Sequence, residues 1–170
     1  MRMAGIVLIV LSAGSMGFRI AHSLRKRCRL LRQLLSALQL LKQEIGCCAT
    51  PLPQAFALMA VSSDGSLEKL FSAMAREMDK NRWTTPLAAM RKALTLVPEL
   101  PEGDPAVQIL LELAARLGKY DLESQLQGID LAALRLGEEL GRAEQERSTK
   151  SKTYQTLGIC TGLAVAILLM

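Results

Sequence analysis

The chain has 170 residues, 50% of them hydrophobic, 4% aromatic and 22% charged, with a formal net charge of +5. That length holds one modest domain of roughly 100–150 residues, and it excludes a barrel enzyme or two independent catalytic domains. A mean hydropathy of +0.22 is high for a wholly soluble protein, and abundant Leu and Ala with few aromatics favour helix over sheet. The lone histidine, His22, leaves little material for Ser/His, Cys/His or histidine–metal chemistry.

In chain order, the first element is an apolar segment, MAGIVLIVLSAGSMGF from Met3 to Phe18, free of charge. At 1.5 Å per helical residue it reaches about 24 Å against a hydrocarbon core of ~30 Å, and Arg2 and Arg19 can snorkel at its ends. A cleaved signal peptide, with Ala13-Gly14-Ser15 as the processing site, is the competing reading. Against it, the leading basic region is only Arg2, and the basic cluster follows the apolar run. From Arg19 to about Gly46, Leu31, Leu34, Leu35, Leu38, Leu41 and Ile45 recur at steps of three and four, one face of an amphipathic helix continuous with that segment. Thr50-Pro51-Leu52-Pro53 breaks it.

A short helix over Gln54–Val61 is expected next, closed by the turn Ser62-Ser63-Asp64-Gly65. Ser66 reads as the N-cap of a helix to about Asn81 that buries Leu67, Leu70, Phe71, Met74 and Met78. Thr85-Pro86 opens a helix to about Val97, a cap followed by proline at the first helical position. After a loop over Pro98–Gly103, Asp104-Pro105 repeats that start, for a helix burying Val107, Leu110, Leu111, Ala114 and Leu117 and stopping near Gly118. Asp121 caps the last element, where Leu122, Leu126, Ile129, Ala133, Leu136, Leu140 and Ala143 form a heptad-like stripe. Its exposed side offers (i, i+4) pairs Arg135/Glu139, Glu138/Arg142, Arg142/Glu146 and Glu146/Lys150.

That helix is expected to run into a second apolar segment, TYQTLGICTGLAVAILLM from Thr153 to Met170, with Tyr154 where an interfacial aromatic belongs. A buried core helix is the competing reading of this segment. The expectation is therefore all-α: a bundle of about six helices whose first and last members extend into transmembrane spans at 3–21 and 153–170, with residues 22–152 as the domain between them.

Charge sets the orientation. Residues 1–43 carry eight Lys/Arg and no Asp/Glu, whereas from Glu44 onward thirteen Lys/Arg face sixteen Asp/Glu, a net of −3. The basic character is thus a collar of Arg19, Arg25, Lys26, Arg27, Arg29 and Arg32 just after the first apolar segment. Arg142, Arg147, Lys150 and Lys152 stand ahead of the second. Basic flanks facing the middle domain place it in the cytoplasm by the positive-inside rule. No aromatic lies between Phe18 and Phe56, so attraction to anionic membrane lipid accounts for the collar better than a grip on nucleic acid.

Catalytic and metal chemistry finds no purchase. Cys28, Cys47, Cys48 and Cys160 form no C-x-x-C and lack histidine partners for zinc; Cys47-Cys48 read as reduced, packed thiols rather than a vicinal disulfide. There is no phosphate-binding G-x-x-x-x-G-K-[ST] loop and no dinucleotide fingerprint, so no cofactor is expected. Glu138 and Glu139 point about 100° apart on a helix, which suits a solvated face rather than an acid–base pair. Gly158-x-x-x-Gly162, and Ala13-x-x-x-Gly17 in the first segment, are small-residue faces that let helices approach closely. They serve either packing within one chain or association of subunits, further copies of this chain included.

The leading segment with RQLLSALQLLKQEI (Arg32–Ile45) and TPLPQAF (Thr50–Phe56), then LGKYDLESQ (Leu117–Gln125) and YQTLGICTGLAVAILLM (Tyr154–Met170), resembles the stage III sporulation protein AB family over essentially the whole chain. It departs from the family's pattern at Cys47, Gln54 and Gly128, where an aromatic, an acid and a basic residue or histidine are usual. The resemblance implies a protein of endospore-forming bacteria, made in the mother cell, within a secretion-like channel complex. It also implies a helical domain similar to that of the F-type inner-membrane platform protein of type II secretion. The partners it implies are the ATPase known as stage III sporulation protein AA and other membrane subunits of the complex, with no catalytic residues. Glu112, Gly118, Asp121 and Gln125 match the family at a helix–helix corner, where capping and packing compete with partner contact as their role. The leading expectation is a non-enzymatic scaffold. A membrane-tethered adaptor binding a soluble signalling partner is the alternative, and a thiol enzyme using Cys28 a third.

Overall fold

The computed structural model describes the backbone of residues 2–80, 83–119 and 121–169, and the side chains of residues 23–80, 83–119 and 121–149. Six α-helices follow one another: α1 (Arg2–Gly46), α2 (Leu52–Val61), α3 (Ser66–Lys80), α4 (Pro86–Leu94), α5 (Pro105–Arg116) and α6 (Leu122–Leu169). The expected all-helical class and number of helices are what the described residues adopt. It divides into two compact units, residues 29–140 and the two ends 1–28 with 141–170. Among the described residues no helix is long and apolar enough to cross a membrane. The spans expected at 3–21 and 153–170 lie outside the described side chains, though the backbone of residues 3–21 and 153–169 is helical.

Within residues 29–140 the helices pack in sequence, α2 on α3, α3 on α4 and α4 on α5, as short connections dictate. The core draws on every helix: Leu34, Leu38 and Leu41 of α1, Phe56 and Met59 of α2, Leu70, Phe71 and Met74 of α3, Met90 of α4, Leu110 of α5 and Leu136 of α6. Phe56 and Phe71 stack with ring centroids 6.5 Å apart, joining α2 to α3. Exposed ion pairs bridge neighbours at the surface, Lys42–Asp130 at 2.7 Å and Lys92–Glu77 at 2.6 Å, each worth about 0–1 kcal/mol.

Helix boundaries differ from the sequence reading where local chemistry competes. Helix α2 begins at Leu52, because Pro53 in the first turn lacks only an N–H that would have no partner there. Ser66 is not an N-cap: it is helical, the Gly65 carbonyl accepts from Lys69 N, and Ser66 Oγ donates instead to Glu99 Oε2 at 2.8 Å. Gly65 takes φ +65°, open to glycine, and leads the chain into α3. Helix α4 stops at Leu94 rather than Val97, since Pro98 disfavours helix before it and the chain closes in tight turns, Leu96 N to Ala93 O and Val97 N to Leu94 O. The caps at Thr85 and Asp104 form as expected, accepting from Ala88 N at 3.3 Å and Ala106 N at 2.9 Å.

The expected α3 face is buried in full. In α5, Leu111 is only half-buried while Ile109 and Leu113 are buried. In α6, Leu122 is 49% exposed and Ala132 replaces Ala133 on the buried side, so the stripe is rotated slightly from the heptad reading. Cys47 and Cys48 are free but exposed, not packed, because they lie in the turn beyond Gly46. Cys28 is 1% exposed, which leaves its thiol little access to a substrate.

Candidate functional site

Two turns of the 29–140 unit gather the polar residues that a site would need. The first joins α5 to α6. Leu117 is buried at the end of α5, and Gly118 reverses the chain at φ +75°, a left-handed conformation that costs other residues about 1–2 kcal/mol. Asp121 then caps α6: Oδ2 accepts from Ser124 N at 3.2 Å and Oδ1 from Ser124 Oγ at 2.7 Å. The Ser124 hydroxyl, and then its amide, hold the Asp121 carboxyl below its ordinary pKa by stabilising the anion. Gln125 Oε1 accepts from Gly118 N at 3.2 Å, fastening the turn to the first turn of α6. Glu112 stands apart from this knot, on the exposed side of α5, where Oε2 accepts from Arg135 Nη1 at 2.6 Å. Gly118, Asp121 and Gln125 are therefore brought together, and each is engaged in closing the turn. One turn further on, Arg116 lays its Cδ within 3.6 Å of where a Cβ of Gly128 would stand.

The second place is the end of the unit at which α1 enters. Arg25, Lys26, Arg29 and Arg32 of the collar are exposed and Arg27 half-exposed, while Arg19 lies outside the described side chains. Gly158 and Gly162 lie outside them too. Helix α2 runs back along α1, so its C-terminal turn arrives beside Arg29, whose Nη2 lies 3.5 Å from Asp64 Oδ2. Between the two is an open cleft of about 480 Å³. On one side it is lined by a single stripe of α1, Arg29, Arg32, Gln33, Ser36, Ala37 and Leu40; on the other stand Ser62 and Ser63. Sequence reasoning treated Ser62-Ser63-Asp64 as a plain turn. Its signal, two hydroxyls and an acid in succession, gains meaning only once α2 folds them against the arginines.

Among the described residues no group of three or more His, Cys, Asp or Glu could hold a metal ion.

Comparison with known proteins bears on the whole chain. The family model for stage III sporulation protein AB matches residues 2–170. Stage III sporulation protein AB of Bacillus subtilis (strain 168) is 31% identical over 170 residues, covering 100% of this chain and 99% of that protein. A solved structure of a stage III sporulation protein AB superposes with a TM-score of 0.64 at 30% identity, covering 71% of this chain and 94% of that one.

Proposed function

The chain belongs to the stage III sporulation protein AB family and is a sporulation protein, and from that premise we propose that it is a non-enzymatic membrane platform. In this reading the apolar segments 3–21 and 153–170 are transmembrane helices, and the helical domain between them lies in the mother-cell cytoplasm. There it couples a cytoplasmic ATPase of the stage III sporulation protein AA type to the other membrane subunits of a secretion-like channel. The observation that carries the reading is the asymmetry of the chain: the long helices carry uncharged apolar runs at their outer ends, Met3–Phe18 in α1 and Thr153–Leu169 in α6, each flanked by basic residues on the side of the domain. Such flanks are retained on the cytoplasmic side. Six helices whose polar side chains cap and pair with one another suit a body that transmits force or position rather than one that transforms a substrate.

The collar Arg19, Arg25, Lys26, Arg27, Arg29 and Arg32 meets anionic lipid in this arrangement, each cation near the surface adding about 1 kcal/mol. Gly118, Asp121 and Gln125 act chiefly in closing the corner between α5 and α6, and Glu112 ties the two helices together away from it through Arg135. Gly158 and Gly162 provide the close-approach face on which spans associate.

Topology is the test. Cys28, Cys47, Cys48 and Cys160 are replaced with serine, Gly103→Cys is introduced in the exposed α4–α5 loop, and intact cells are treated with a membrane-impermeant maleimide. Protection until permeabilisation is the expected result. Labelling of intact cells would place the domain outside the cytoplasm, beyond the reach of an ATPase.

A further inference from the structure

The cleft between α1 and the α2–α3 turn is lined by two arginines and two serines, with the Asp64 carboxylate at its edge beside Arg29. Arg29 and Arg32, three residues apart on one face of α1, offer two planar guanidinium forks suited to phosphate oxygens. Ser62 and Ser63 stand opposite; their backbone amides are spent on Leu58 O and Ala60 O, and their hydroxyls make no hydrogen bond among the described residues. Against these donors, Asp64 sits 3.5 Å from Arg29 with 79% of its side chain exposed, a loose pair that opens at little cost. Ser62 is also the C-cap of α2, so the negative end of that helix faces the same space.

A simple anion would be repelled by Asp64 and by the end of α2, and a simple cation by two arginines. A ligand with a phosphate and an ammonium a few bonds apart satisfies both. Apolar surface beside the cleft adds a third requirement. Val61, adjoining Ser62, is 86% exposed at the end of α2, and Ala37 and Leu40 supply apolar wall. The cleft volume lies in the range of about 300–1,000 Å³ usual for small-molecule sites. Arg29 follows Phe18, the last residue of the N-terminal apolar segment, by eleven positions.

Resting on the membrane reading above, we propose that this cleft binds the headgroup of a zwitterionic aminophospholipid. The phosphate lies against Arg29, Arg32 and the two serine hydroxyls, and the ammonium toward Asp64 and the α2 carbonyls. The site is distinct from the diffuse attraction of the collar, which favours any anionic lipid. It gives the domain a fixed orientation on the bilayer surface.

The full-length chain in a maltoside detergent is mixed with equal amounts of phosphatidylethanolamine, phosphatidylglycerol and phosphatidylcholine, and retained lipid is counted by native mass spectrometry. One phosphatidylethanolamine per chain is expected in preference to the others, phosphatidylcholine failing because its capped ammonium donates no hydrogen bond. The double substitution Arg29→Gln/Arg32→Gln lowers that retention roughly tenfold or more, the equivalent of one or two charge-assisted hydrogen bonds. Asp64→Asn removes the advantage over phosphatidylglycerol, and helical circular dichroism verifies that both variants are folded. Equal retention of phosphatidylglycerol by the unaltered chain, or undiminished retention by the double variant, overturns the proposal. Displacement by inorganic phosphate as effectively as by glycerophosphoethanolamine overturns it in favour of a free-phosphate site. Carbonate extraction of membranes separates the two readings. A chain that stays with the membrane but keeps no ethanolamine lipid defeats this proposal alone; a chain released by carbonate defeats the membrane reading and this one with it.

Discussion

The α5–α6 turn and the α2–α3 turn reverse the chain in the same bundle, each through a glycine in the left-handed region, yet they differ in what their polar groups do. At the first, Gly118, Asp121, Ser124 and Gln125 bond to one another within eight residues of sequence, and Leu117 is buried beneath them. At the second, two hydroxyls line an open cleft, Asp64 reaches across to α1 in a loose pair with Arg29, and the neighbouring apolar side chain, Val61, is left in solvent. The lesson is that polar residues gathered at a helix corner identify a site only when their hydrogen bonds are not already closed locally. A closed corner contributes stability, and an open one is free to bind.

That contrast can be broken or sharpened by substitution. The largest effect is expected from Leu117→Ala, which empties a buried position under the closed turn and costs about 2–5 kcal/mol in urea unfolding of the solubilised chain. A loss below about 1 kcal/mol would mean that the turn collapses onto the space and is less rigid than its packing implies. Next comes Gly118→Ala, which forces a Cβ into a positive-φ conformation and within 3.5 Å of Leu52 Cδ1; a loss of about 1–2 kcal/mol is expected by the same measurement.

Smaller again is Ser124→Ala, whose effect depends on pH. Asp121 has a folded-state pKa below its unfolded value, so the stability it contributes is full above the ordinary aspartate value and fades as pH falls through the folded one. The urea midpoints of the variant and the unaltered chain should differ at neutral pH and converge in strong acid. A gap that persists undiminished there would show that the hydroxyl acts by packing rather than through the carboxylate. The smallest effect belongs to the open turn: Val61→Ala should change stability by no more than about 0.5 kcal/mol, as expected of an exposed side chain. A larger loss would show that Val61 has a partner within the chain and that this turn is closed as well.

Much of this was legible in the residues themselves. Pro86 after Thr85 and Pro105 after Asp104 announced helix starts, since a side-chain acceptor before a residue without an N–H is a local solution to an unpaired helix end. The spacing of Leu67, Leu70, Phe71, Met74 and Met78 announced a buried face for the same kind of reason. Ser66 misled because a serine before an apolar run has the cap's chemistry, while its hydroxyl found a stronger acceptor in Glu99, thirty-three positions away. Arg135 likewise reaches Glu112 across to α5, a partner no helical spacing predicts. The candidate residues divided in the same way. Asp121 could be assigned as a cap from its neighbours, Gln125 entered only through the family resemblance, and the company of Arg29 and Arg32 could be read from neither.

The sequence by itself determined the all-helical class, the number of helices, most of their ends and the basic stretch after the first apolar segment. All of these follow from interactions spanning a few residues, where periodicity, proline and capping side chains act without knowledge of the rest. Only the tertiary structure decided which charged residues pair across helices, that the α5–α6 corner is closed, and that the α2–α3 turn comes to rest against α1. Those depend on how α2 packs beside α3 and folds back along α1, a choice made by buried area shared among distant residues and therefore written in no local pattern.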